Sequence, residues 1–421
     1  MERRSFVKAG AAVGALTVVS PRIAFGSRNN SAVNIGIIGC GNRGMGVISS
    51  MSRNTNINVL AVADLFEDKI PVARKRLNEL NEAKGFAKIA DKMVFTGPSA
   101  YKELIQSGQL DAVLISSPAY THPTFAEEAA RAGKHIYCEK PAAVDVEGCL
   151  RMEQLGHEIK GKQSMVIGFQ IRHASPYMEM AQRIQRGDIG QVINVQLYYF
   201  SSRVPIHPFP EASWDEQRIR NQYKFRALSG GILLDQAIHV IDICNWTLGM
   251  RPVSAIGTGG REGAPDFGDG FNNFQVVYDY PKGIRVSVHS TQFGPTFGDV
   301  CARFTGTKGI AEAHYSRGVF IEGENAWDSG MLRDNRQPIT DEQRSSGTFS
   351  SALHDADSNK QKAFISSIES GNYLNEAQSG AQSTLSAILG REAATRKEEC
   401  SWDEIRLSGL KLEHGIDWGR L

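Results

Sequence analysis

Val33-Asn34-Ile35-Gly36-Ile37-Ile38-Gly39-Cys40-Gly41-Asn42-Arg43-Gly44 is the stretch on which the fold turns. Val33 to Gly39 is a short apolar run with β-branched residues that ends on glycine, the pattern of a buried strand. Gly39, Gly41 and Gly44 fit G-x-G-x-x-G, and Gly44 to Met51 reads as the helix that follows. Asn58 to Ala63 is a second apolar run, closing on Asp64, 20 residues after Gly44. Strand, glycine turn, helix and a following acidic residue make up the setting in which this motif binds a dinucleotide. Gly39 permits the tight turn, Gly41 lets the backbone approach a pyrophosphate, and Gly44 lets helix and strand pack closely. The phosphates then meet the free amides of Asn42, Arg43 and Gly44 at the helix start, where the dipole favours negative charge. Asp64 accepts hydrogen bonds from the adenosine ribose and repels a 2′-phosphate, so the expected cofactor is NAD rather than NADP. The guanidinium of Arg43 argues the other way, because it could accommodate a phosphate.

Beyond Asp64 the alternation continues. Asp68 to Leu80 is helical, Asp111 to Ser116 a buried strand, Pro123 to Ala132 a helix and His135 to Cys138 a strand. This predicts an α/β, doubly wound parallel sheet of the Rossmann type over residues 33–155. After about residue 160 the pattern changes. Gln191 to Phe200 reads as a long strand, Gly230 to Leu248 as a helix, and Phe271 to Tyr280 with Gly283 to Ser290 as a hairpin. Cys301 to Thr305 and Gly309 to Ala313 continue the meander, residues 323–350 read as a loop, and Ala377 to Glu399 as a helix. Residues 156–421 are therefore expected to form an α+β domain with a mostly antiparallel sheet.

Residues 1–32 are read apart from the fold. Arg3-Arg4-Ser5-Phe6-Val7-Lys8, a mildly apolar run from Ala9 to Val19 and small residues near Ala24 look like a twin-arginine export signal. The expected location is periplasmic or otherwise exported, with no stable membrane insertion, since the run is too short to span a bilayer. The competing reading is a basic tail on a cytoplasmic protein. The chain has 421 residues, 47 Lys plus Arg and 46 Asp plus Glu, so charge gives no argument for nucleic acid. Its six scattered cysteines form no zinc or disulfide framework, and no metal site is expected.

Two further constellations carry chemistry. Glu139-Lys140-Pro141 follows a strand at the edge of the parallel sheet where ligands bind, and a Lys beside a nicotinamide can act as acid or base. The plain alternative is a surface Lys paired with Glu139. Ser229-Gly230-Gly231-Ile232-Leu233-Leu234-Asp235-Gln236-Ala237-Ile238-His239 places Asp235 and His239 four apart, on one helix face. His239 could exchange a proton with a substrate hydroxyl near neutral pH, and Asp235 could bind hydroxyls and tune it. A buried, satisfied histidine is the alternative.

Joined to the glycine fingerprint, Glu139-Lys140-Pro141 and the Gly-Gly-x3-Asp-x3-His helix resemble the glucose-fructose oxidoreductase, inositol dehydrogenase and rhizopine-catabolism superfamily over about residues 33–395. The resemblance implies that Lys140, Asp235 and His239 line the substrate site beside the nicotinamide. It also implies that Ser116, Pro118 and His122 belong to a cofactor-contacting loop, with Glu139 next to it, and that Gly168-Phe169-Gln170-Ile171-Arg172 opens the second domain. Ser229 stands where many members have a third glycine. Arg172 and Tyr223, with Arg203, His207 and Trp214, are candidate substrate contacts. The implied activity is an NAD-dependent CH–OH oxidoreductase acting on a sugar or sugar derivative, with a retained and recycled cofactor. An NAD-cycling glycosidase and a silent sugar- or NAD-binding protein are the alternatives. A homo-oligomer is implied as well.

Overall fold

The computed structural model describes residues 32–263, 267–292, 299–315, 318–331 and 351–421. The export-signal reading and residues 332–350 of the expected loop lie outside them.

Strands β1 (Val33–Ile38), β2 (Ile57–Asp64), β3 (Val94–Thr96), β4 (Ala112–Ile115), β5 (His135–Cys138) and β6 (Met165–Ile167) form one parallel sheet ordered β3-β2-β1-β4-β5-β6. Ile35, Ile37, Val113 and Leu114 are fully buried, as expected of strands covered on both faces. Helices α1 (Asn42–Asn54), α2 (Ile70–Glu82), α3 (Ala100–Gln106), α4 (His122–Arg131) and α5 (Val146–Ile159) supply the cover. Strand order reverses between β1 and β4, so a crevice opens at their carboxyl ends, the place where such sheets take ligands. The sheet runs past residue 155 to take in β6, so its last strand lies within the part assigned by sequence to the second domain.

The second sheet has nine strands: β7 (Val192–Ser201), β8 (Ser254–Gly260), β9 (Asn273–Asp279), β10 (Arg285–Gln292), β11 (Asp299–Gly306), β12 (Gly309–His314), β13 (Gly318–Gly323), β14 (Trp327–Asp328) and β15 (Cys400–Ser401). Its order is β14-β13-β12-β11-β7-β10-β9-β8-β15, and β7–β10 is its one parallel pairing among the described residues. The mostly antiparallel expectation therefore holds. Val195, Leu197 and Tyr199 alternate inward, towards a layer made by α6 (Ser175–Gln185), α9 (Ile238–Leu248) and the C-terminal helices. Between α6 and α9 lie two short helices, α7 (Trp214–Arg220) and α8 (Arg226–Ser229). Arg226–Leu248 is long and apolar enough to cross a bilayer by composition, but 83% of its 18-residue apolar window is buried inside the protein.

Helices α10 (Ala356–Ser370), α11 (Ala377–Arg396) and α12 (Trp402–Leu407) return to the first domain. Ser50 Oγ on α1 donates to Gln361 Oε1 of α10 (2.8 Å). Helix α11 wedges between α5 and β8, and a Cβ on Gly156 of α5 would stand 2.6 Å from Ala377. The two sheets thus share one framework rather than hanging on a linker. All six cysteines are buried free thiols.

Candidate active site

A cavity of about 660 Å3 opens at the carboxyl ends of β1, β2 and β4 and is roofed by the segment around α7. Gly39, Gly41, Asn42, Arg43, Gly44 and Asp64 line it, with Ser116 and Pro118 on the next loop. Each glycine has its own reason. Gly39 has φ +95°, and a Cβ there would stand 2.6 Å from the Ser116 carbonyl oxygen. A Cβ on Gly44 would stand 2.3 Å from the Gly39 carbonyl oxygen. At Gly41 a Cβ would meet nothing within 4 Å: the missing side chain leaves open space over the start of α1. Those first amides have no partner within the helix. A cradle that any Cβ at 41 would fill, ringed by amides, fits the pyrophosphate of NAD. Gly39→Ala is expected to cost about 1–3 kcal/mol of stability from backbone conformation and to weaken NAD binding. Melting curves with and without NAD test this, and a full NAD-induced rise in the variant would refute it.

Asp64 sits where the fingerprint requires. Its carboxylate accepts from the amides of Cys40 (2.7 Å) and Phe66 (2.9 Å), one on each oxygen. Each oxygen keeps a lone pair for a ribose hydroxyl. Burial raises the Asp64 carboxyl, and the two amides offset only part of that rise. Arg43 does not fill the role of phosphate acceptor suggested by its sequence position. Its Nε lies 3.0 Å from Glu139, and its terminal nitrogens hold Asp357 at 3.1 and 3.2 Å, so two buried carboxylates claim it. Glu139 is therefore the partner of Arg43 and not of Lys140, which removes the surface-pair reading of Glu139 and Lys140. His122 lies behind the cavity wall. Its ring bridges the carbonyls of Ser117 (2.9 Å) and Pro141 (2.8 Å), tying the loops after β4 and β5 together, so it shapes the loop without lining the cavity.

The second constellation departs from a plain helix. Gly230 and Gly231 are left-handed (φ +83° and +80°), Leu233–Ala237 is a π-helical turn, and α9 starts only at Ile238. Asp235 and His239 therefore do not stand one α-helical turn apart. Asp235 faces Lys140, whose ammonium donates to the Asp235 carbonyl oxygen and lies 3.5 Å from its carboxylate. His239 is 6% exposed, its Nδ1 has no hydrogen-bond partner, and Phe169 meets its ring edge-on. Burial, then the cations of Lys140 and Arg43, hold His239 well below its ordinary range. It is thus neutral at neutral pH, the form of the ring that is able to accept a proton. The Lys140 charge acts on this ring, and the backbone brings the two near each other: a Cβ on Gly168 would stand 2.8 Å from the Lys140 amide nitrogen, and the next residue, Phe169, meets His239. Arg172 is held by Asp242 through two hydrogen bonds (2.8 and 2.5 Å), one turn beyond His239.

Tyr223 and His207 line the cavity; Trp214 and Arg203 do not. Trp214 packs against Phe225 and Phe267, and Arg203 donates to the Gly263 carbonyl. Tyr223 is 38% exposed at the cavity wall, and its phenol is raised, first by desolvation and in part by the carboxylates of Asp235 and Glu139.

Sequence reasoning missed the far end of the cavity. Arg220 of α7 holds Asp68 (2.6 and 3.1 Å) across the mouth, with Phe66 and Phe209 against its guanidinium. The C-terminal tail crosses the same mouth. Val146 donates to the Leu410 carbonyl, Arg218 to the His414 carbonyl, and Asp417 to the Asp215 carboxylate. Trp418 then stacks near Tyr120 (centroids 6.3 Å apart) and lines the cavity. A lone Trp near a terminus carries no spacing signal that could have shown this.

Fold and site together define an oxidoreductase that binds NAD on a Rossmann domain, with an α+β partner domain supplying the second wall. The chain belongs to the GFO/IDH/MocA family. Residues 33–167 match the model of the oxidoreductase family with an NAD-binding Rossmann fold, and residues 177–312 match the GFO/IDH/MocA C-terminal domain. It is 28% identical to the inositol 2-dehydrogenase of Rhizobium meliloti (strain 1021), over 86% of this chain and 96% of that one. It is 27% identical to the rhizopine catabolism protein MocA of Rhizobium meliloti, over 67% and 78%. Its fold matches the scyllo-inositol dehydrogenase of Lactobacillus casei solved with bound NAD(H) and scyllo-inositol: TM-score 0.66, 21% identity, covering 88% of this chain and 99% of that one.

Proposed function

We propose that this protein oxidises a secondary hydroxyl of a sugar or inositol-type polyol with NAD, using Lys140 and His239 as its proton-handling pair. The observation that carries this reading is a half-buried cation, Lys140, whose charge acts on a neutral imidazole with an unpartnered nitrogen, His239. Bound NAD supplies the hydride acceptor. The neutral His239 ring takes the hydroxyl proton, and the Lys140 ammonium, which has donors to spare beyond Asp235, steadies the charge that builds on the substrate oxygen. Asp235 keeps Lys140 in place, and Tyr223 stands where a polyhydroxylated ring would enter. The names of the relatives point to cyclic polyols as the first substrates to try.

The tail and α7 over the cavity support a cofactor that stays bound between turnovers, which suits a protein exported by the twin-arginine route. Denaturing the purified protein and recording released nicotinamide absorbance tests retention; protein that purifies empty refutes it. Inositols, aldoses and glycosides are then offered with an external acceptor. A keto product supports the dehydrogenase, free reducing sugar without net NADH marks the glycosidase cycle, and no turnover of any of them marks a binding protein.

For the cofactor, Asp64→Ala removes hydrogen bonds to a charged acceptor worth about 1.5–3 kcal/mol, so NAD is expected to bind about 10–100-fold more weakly. Preference over NADP should shrink with it. Native protein that prefers NADP would overturn the assignment. The outer face of the second sheet exposes Ile256, Val277 and Ile310 (53%, 43% and 40%), and we assign homo-oligomer contact to it, to be checked by light scattering.

A further inference from the structure

On the face of the second sheet turned away from α9, four side chains of β11 and β12 meet. Cys301 pairs directly across the ladder with His314, and Arg303 with Glu312. Opposite residues of an antiparallel pair hold their Cβ atoms about 4.5–5.5 Å apart, near enough to share a small ligand. His314 Nε2 lies 2.7 Å from Glu312 Oε2 and 3.5 Å from Cys301 Sγ, and the three ligand atoms lie within 4.8 Å of one another.

We propose that Cys301, Glu312 and His314 form a binding site for a borderline-soft divalent transition metal ion, zinc by ligand type, remote from the NAD cavity. Thiolate, imidazole and carboxylate together are a zinc donor set. Zinc bonds of about 2.0–2.3 Å in a tetrahedron put sulfur and nitrogen ligands roughly 3.5 Å apart, which is the separation found between Cys301 and His314. The nitrogen–oxygen pair, 2.7 Å apart, must open by about 0.6 Å to reach the tetrahedral separation.

The surrounding groups are those that orient metal ligands. His314 Nδ1 has no hydrogen-bond partner, and the Asp299 carboxylate lies 3.7 Å from it, where a small shift would make the carboxylate–histidine bond that fixes a ligating ring. Arg303 holds the second oxygen of Glu312 at 2.6 Å and leaves Oε2 for the ion. Cys301 and His314 are 1% and 6% exposed, so the donors are largely dry, while a cavity of about 240 Å3 beside Tyr198 and Phe320 leaves room for a fourth ligand. None of these residues lines the NAD cavity. The sequence hid the set because its members sit on two strands with none of the spacings that mark a zinc motif.

The test uses the tag-free chain, stripped with a chelator and titrated with cobalt(II). One ion per chain is expected, with a thiolate-to-cobalt charge-transfer band and tetrahedral visible bands. Cys301→Ser should abolish the charge-transfer band while NAD binding persists. Asp299→Asn keeps all three ligands and should weaken binding about 10–100-fold. A native protein that takes up no ion, or a band that survives in Cys301→Ser, overturns the site. If Cys301→Ser does not fold, the Asp299→Asn titration decides alone, and unchanged affinity rejects the proposal.

Discussion

Lys140→Ala should lower kcat by about 10²–10⁴-fold, the range for losing a positioned acid–base or charge-stabilising group. NAD affinity should hardly move, because Lys140 lies apart from the phosphate cradle and does not line the cofactor cavity. Lys140→Arg should not rescue turnover, since a planar guanidinium cannot reproduce a compact ammonium held against the Asp235 carbonyl. His239→Ala should fall by a similar order, and the double variant should lose much less than the product of the two, as expected of groups that act as a unit. The native pH profile of kcat/KM should show no inflection at the ordinary imidazole value of about 6.5, because burial and two neighbouring cations keep His239 neutral below it. Steady-state rates at saturating NAD decide the matter. A Lys140→Ala enzyme that keeps most of its turnover would remove the proposed mechanism.

Arg43→Ala should be the most damaging change to stability in the first domain. It strips the cation from Glu139 and Asp357, whose side chains are 5% and 10% exposed. Removing one partner of a buried ion pair costs about 3–5 kcal/mol, and the lower end applies because the cavity leaves Arg43 19% exposed. The loss joins two distant parts of the chain, since Asp357 lies on α10. Urea unfolding should show it, with Arg43→Lys restoring part. An Arg43→Ala protein as stable as the native one would mean that the two carboxylates find relief elsewhere.

The parallel domain was readable because its signals are local. The Val33–Ile38 run, the three glycines and Asp64 each announce themselves within a few residues, and the structure puts all of them at one crevice. Lys140 was found only through a family pattern, since Glu139-Lys140 alone reads as an ordinary surface pair. What failed were readings that needed contacts distant in sequence. Arg43 looked like a phosphate ligand until Asp357, more than 300 positions on, claimed it. The helix from Gly230 was read as regular because periodicity does not reveal a π-helical turn, and that turn is what sends Asp235 to Lys140. The same blindness hid α10 and α11 as braces for the first domain: α11 is buried on most sides and so has little amphipathic pattern to detect.

Trp418 and the strand of chain leading to it have a practical meaning for anyone handling this protein. The residues leading to Trp418 lie against the nucleotide cavity, anchored at Asp145, Asp215 and Arg218. On the reading proposed above, in which the dinucleotide stays bound between turnovers, its exchange calls for this segment to lift from Tyr120 and Asp215, so loosening those anchors should speed nucleotide loss.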